Sequence, residues 1–160
     1  MAVSPGYSGT VVVRGGVIGK VDALAYGMAM NGAATFSQML LVALGGALGS
    51  MLRYGVGRWA IALTGPGFPT GTLAVNLIGG LLMGMLAGWL ARVGDGAAEL
   101  RLLLGVGVLG GFTTFSAFSL EVYNMIIRAE IALAAAYAIS STAGSVLAVL
   151  AGVWLMRSAT

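Results

Sequence analysis

The chain contains no cysteine and no histidine. Without thiols there are no disulfides and no thiolate metal sites. Without imidazole, the commonest general base and metal ligand are both missing. Charge is scarce too: eight Lys and Arg and five Asp and Glu make up 8% of 160 residues. A soluble globular domain carries about a quarter of its residues as charges. The net charge of +3 comes with no basic cluster, so nucleic-acid binding has no support. No nucleophile–base pair or metal-ligand set is visible, and an enzyme is not expected.

What is present is apolar. Hydrophobic residues make up 59% of the chain, a surplus that water does not accommodate, so an integral membrane protein is the expected class. Glycine occurs 27 times, where average usage of about 7% would give roughly eleven. In membranes glycine lets helices approach closely and lets the backbone open where it lines a cavity.

The few charges mark the ends of the crossings. None lies between Gly71 and Ala91, between Leu102 and Leu120, or between Ile131 and Met156. Each interval approaches or exceeds the ~20 residues that cross a ~30 Å hydrocarbon core. A further span over about 39–63 carries Arg53 inside it. The expected fold is therefore all-α with four transmembrane helices, over about 39–63, 71–91, 100–127 and 131–156. ALTGPGFPTG (62–71) reads as a tight turn, and RVGDGAAELR (92–101) as a polar hairpin. Residues 1–38 admit three readings: a disordered tail, a weak interfacial segment, or an upstream start codon misassigned relative to Met39. The expectation is a poorly ordered tail followed by a channel-sized unit over 39–157. Outside that tail, three arginines fall on each side of the membrane: Arg92, Arg101 and Arg157 against Arg53, Arg58 and Arg128. Such a tie gives the positive-inside rule nothing to act on, so insertion in both orientations is possible.

Polar groups within spans are functional candidates because hydrocarbon penalises them. Asn76, alone in GTLAVNLIGG, reads either as an interhelical hydrogen bond or as a neutral donor to an anion. Arg53 reads as a snorkelling side chain or as a fixed positive charge in an aqueous vestibule. GGFTTFSAFSLE (110–121) combines Gly110 and Gly111 with Thr113, Thr114, Ser116 and Ser119. Glycines that permit a break, beside hydroxyls that satisfy opened backbone, predict a third helix broken at mid-membrane. A break presents carbonyls for cations and amides for anions. Phe115 and Phe118, three apart, share a face if helical. On the last span Tyr137, Ser141 and Ser145 fall four apart as a hydroxyl stripe, either a polar track or a set of interhelical bonds.

With these stretches in hand, the chain resembles the Fluc (CrcB-type) fluoride channels from about Met39 to Arg157. The resemblance is carried by GGALGSMLRY (45–54), GTLAVNLIGG (71–80) and GGFTTFSAFSLE (110–121) in that order. It implies an antiparallel, dual-topology homodimer in the bacterial inner membrane that lets fluoride leave the cytoplasm passively. By the same resemblance, Phe115 and Phe118 line the pore and Asn76 contacts the ion path. Tyr137, Ser141 and Ser145 form the polar track, joined by Thr114 and Ser116, and Arg53 stands at the vestibule. A structural sodium ion at the dimer interface is expected on the backbone carbonyls of Gly110 and Thr113. Ala117 departs from the family, where many members carry threonine.

Two other classes compete. A small dual-topology drug exporter needs a membrane-embedded carboxylate, and no Asp or Glu lies in the first span. A non-catalytic membrane anchor or assembly subunit has no need for three converging polar motifs.

Overall fold

The structure is a computed structural model that describes residues 11–13, 16–18, 20–93 and 97–158. Its contacts divide the chain into a unit of Met1–Met39 and a unit of Leu40–Thr160. The expected tail over 1–38 and the expected hairpin over 92–101 lie partly outside the described residues. Within the first unit, β1 (Val11–Val13) pairs antiparallel with β2 (Gly16–Ile18), with Val11 opposite Ile18. That short hairpin falls within the expected tail, and the unit from Leu40 onward is all-helical. Helix α1 runs Lys20–Thr64, starting well before residue 39, and its Ala34–Thr64 part has the length and hydropathy of a membrane crossing.

Three more crossings follow: Thr70–Val93 (α2), Ala98–Ile127 and Ile131–Ser158. Each is apolar and at least 24 residues long, enough for a ~30 Å core at ~1.5 Å per residue. The chain is a multi-pass membrane protein. Helix α1 stops at Gly65, whose φ of +75° only glycine adopts freely. Its N–H bonds back to Ile61 O at 2.9 Å, and Pro66 and Pro69 keep the chain from re-entering a helix before Thr70.

The third crossing is assembled from pieces. A turn of α-helix (Ala98–Leu100) leads into a π-helical stretch (Arg101–Leu109) and a last turn (Gly110–Phe112); together these are α3. In the π stretch the hydrogen bonds reach one residue further back, as where Gly110 N–H meets Gly105 O. The helix then stops. Thr113 is extended at φ −74°, ψ 160°, and α4 begins at Ser116 and runs to Ile127. The break therefore lies at Thr113–Phe115, starting two residues beyond the glycine pair expected to permit it. Gly110 and Gly111 are helical. Gly111 is there for proximity: a Cβ on it would stand 2.6 Å from the carbonyl oxygen of Gly46 on α1.

Helix α5 (Ile131–Ser158) packs along α2 with the same device. Gly80, Gly84 and Gly88 repeat every four residues, and a Cβ on Gly84 would collide with the Val149 carbonyl. The turn into α5 is a Schellman motif: Glu130 N–H bonds to Met125 O and Ala129 N–H to Ile126 O, both at 2.9 Å. Its left-handed position is taken by Ala129, at φ +60°, where glycine is the usual occupant. Arg128 and Glu130 form an exposed ion pair at 2.9 Å, and the carboxylate's hydrogen bond holds the Arg128 guanidinium above its ordinary value. Buried side chains gather around Phe118, Met125, Ala134 and Tyr137. Outward, Leu44, Met51, Leu147 and Trp154 are each more than 60% exposed, the surface of a chain whose solvent is lipid.

Candidate functional site

Breaking a helix in hydrocarbon leaves backbone groups that must find partners. One of them finds Asn76. Its Oδ1 accepts from Thr114 N–H at 3.0 Å, and its Nδ2 donates to Thr114 O at 3.1 Å. A single side-chain amide thus stands in for a neighbouring peptide and holds both backbone groups of Thr114. The interhelical hydrogen bond that the sequence left open for Asn76 is present, made to backbone. Thr114 Oγ1 in turn accepts from Ala117 N–H at 3.3 Å and steadies the start of α4.

These substitutions release two carbonyls. In a continuous helix Thr114 N–H would bond to Gly110 O, and Ala117 N–H to Thr113 O. Here the first donor goes to Asn76 and the second to Thr114 Oγ1. The carbonyls of Gly110 and Thr113 lose the donors that a helix supplies. Thr113 itself sends its N–H (3.0 Å) and its hydroxyl (2.9 Å) to Leu109 O. No cluster of His, Cys, Asp or Glu able to hold a metal occurs among the described residues.

Gly110, Thr113 and Thr114 share a cleft of ≈ 420 Å³ with Asn76, Phe115, Phe118, Ser141 and Ser145. Eight of the eleven residues singled out in the sequence converge there. Ser141 is buried, and its Oγ lies 3.5 Å from Asn76 Nδ2, at the limit of a hydrogen bond. The Ser145 hydroxyl donates to Ser141 O at 2.6 Å. Phe115 precedes α4 and is 75% exposed, whereas Phe118 is 7% exposed within it. The two rings still meet, with centroids 5.6 Å apart.

Three predicted site residues stand elsewhere. Ser116 is exposed and does not line the cleft. Tyr137 is fully buried beside it, its ring 5.3 Å from Phe118 and 5.4 Å from Phe68. Arg53 is half-buried in a second cavity of ≈ 260 Å³, shared with Arg58, Thr72, Thr114 and Ala117. Thr114 therefore borders both spaces.

Residues that sequence reasoning missed surround Tyr137. Its hydroxyl donates to Glu121 Oε2 and the Thr72 hydroxyl to Glu121 Oε1, each at 2.7 Å. A carboxylate inside a crossing is thereby held from two helices. Thr72 lies four residues before Asn76, on the same face of α2, and that spacing could have found it. Thr142 and Met83 also line the cleft, with no signal in the sequence beyond their position.

Fold and site together define a small multi-pass membrane protein with a polar cleft at an interrupted third crossing. Residues 40–153 match the family described as CrcB-like protein, Camphor Resistance (CrcB), and the chain belongs to that family. It is 56% identical over 118 residues to the fluoride-specific ion channel FluC of Novosphingobium aromaticivorans, covering 72% of this chain and 93% of that one. It is 55% identical over 122 residues to the protein of the same name from Caulobacter sp., covering 76% and 95%. The FluC of Rhizobium etli is 51% identical over 121 residues, covering 76% and 97%.

Proposed function

We propose that this protein is a fluoride-selective channel of the bacterial membrane, letting fluoride leave the cytoplasm down its gradient. The observation that carries this reading is the cleft in which Asn76, Thr114, Phe115, Phe118, Ser141 and Ser145 converge. The names of relatives at 51–56% identity support it.

Fluoride is small and strongly hydrated, so a pore for it must replace water at short range with donors that do not trap the ion. Neutral groups meet that need. The second N–H of Asn76 makes only a 3.5 Å contact with Ser141 Oγ, and the Ser141 O–H has no acceptor among the described residues. Both are free to turn to an anion. The positive edges of Phe115 and Phe118 extend the same environment. Arg53 and Arg58, in the neighbouring cavity, enrich anions without binding them deep in the path. Tyr137 supports the pore from behind, as a buried ring held by Glu121. Ser116 joins the path only if a second copy faces it.

Two copies in antiparallel, dual-topology arrangement complete the channel in this reading. The carbonyls of Gly110 and Thr113 suit a hard cation, because they lack helical donors and belong to residues that line the cleft. A sodium ion held there by both copies would tie them together and raise the local potential for anions. Residues 39–157 suffice for conduction, and the tail over 1–38 is dispensable. Expression in a bacterium made fluoride-sensitive tests the proposal. Growth restored at elevated fluoride supports it, and no protection from protein shown to reach the membrane contradicts it.

A further inference from the structure

Met83 stands between two cavities. On one side lies the polar cleft, and on the other a groove of ≈ 280 Å³ between α2 and α3, lined by Leu86, Leu90, Arg101 and Gly105 among others. We propose that this groove is an aqueous approach to the cleft, with Arg101 at its outer mouth and Met83 as the constriction between them. The proposal rests on the fluoride-channel reading and adds to it a route of entry distinct from the Arg53 cavity.

Depth and charge support the assignment. Met83 lies ten residues before Val93, the end of α2, or about 15 Å along the helix from that end at ~1.5 Å per residue. Arg101 opens the π-helical stretch, three residues into the third crossing. Its side chain is exposed and makes no ion pair with another described residue. A cation at the mouth of a cleft with low-dielectric walls focuses its field on entering anions. No backbone closes the groove at Gly105, where a Cβ would meet only the Leu86 side chain, at 3.6 Å. Methionine suits the constriction: it is unbranched and flexible, and an apolar ring that dewets is a recognised gate.

The chain has no cysteine, so Met83→Cys introduces a lone thiol that reports on the groove. The full-length variant is sealed into liposomes with an impermeant anionic methanethiosulfonate on both sides. Mass spectrometry should show the thiol modified, and fluoride efflux should fall about tenfold while the wild type is unaffected. Arg101→Gln should lower efflux about threefold at low ionic strength, with the difference lost near ~1 M salt, where the Debye length is ~3 Å. A thiol that resists the anionic reagent but reacts with membrane-permeant N-ethylmaleimide overturns the proposal, because the groove then holds lipid or a partner helix. Modification without loss of efflux overturns it as well. If Met83→Cys conducts nothing, its mass shift and the Arg101 variant still decide. A wild type that passes no fluoride fails the channel reading instead, leaving the accessibility of the groove as a separate result.

Discussion

Asn76 and Thr114 are joined at two points, side-chain oxygen to backbone N–H at 3.0 Å and side-chain nitrogen to backbone carbonyl at 3.1 Å. This pairing holds the gap in the third crossing open and satisfies both backbone groups of Thr114. Asn76→Ala strips both partners at once, and each buried orphan costs about 1–3 kcal/mol. Both thermal stability in detergent and fluoride efflux should fall, efflux by tenfold or more on that cost. Undiminished efflux would remove Asn76 from the ion path.

The two phenylalanines should separate stability from conduction. Phe118 packs on Tyr137 in the core, whereas Phe115 is largely exposed. Phe118→Ile should lower both the melting temperature and efflux. Phe115→Ile should lower efflux with little change in melting. Equal effects of the two on melting would show that Phe115 is buried in the assembled protein.

Glu121 is held by the Thr72 and Tyr137 hydroxyls. Tyr137→Phe keeps the ring and removes one buried hydrogen bond, leaving Glu121 short of a partner at a cost of about 1–3 kcal/mol. Glu121→Gln still accepts from one hydroxyl and can donate to the other, so it should be milder than Glu121→Ala. Melting curves of the three variants check the order.

Close packing and backbone strain give predictions of opposite sign. Gly84→Ala drives a methyl into the Val149 carbonyl and should cost about 1–3 kcal/mol. Gly105→Ala meets no such wall and should be neutral or stabilising by up to ~1 kcal/mol. Ala129→Gly relieves a left-handed alanine and should stabilise by about 0.5–1 kcal/mol. Thermal unfolding of these three sites tests whether the helix contacts and the Schellman turn are correctly assigned.

The four crossings were legible because charges punctuate an otherwise apolar chain, and Asn76 because it stands alone among apolar neighbours. Its partner was not legible, since a side chain that bonds to backbone leaves no pattern at Thr114. The break was expected at Gly110 and Gly111, which instead give α1 room; the interruption follows three residues later, where Asn76 captures Thr114. The hydroxyl stripe was half right. Each step of four residues drifts about 40° around a helix, so Ser141 and Ser145 reach the cleft while Tyr137 turns to Glu121. Arg53 could be read as deep and charged, but its separate cavity depends on how α1 meets α2 and α4.

Ion release from liposomes tests the central claim most directly. Purified full-length protein is reconstituted at low density with fluoride and chloride inside, and both are followed with selective electrodes. The account predicts rapid fluoride efflux with negligible chloride efflux. Protein that is folded in the membrane yet releases neither ion, or releases both equally, would contradict it.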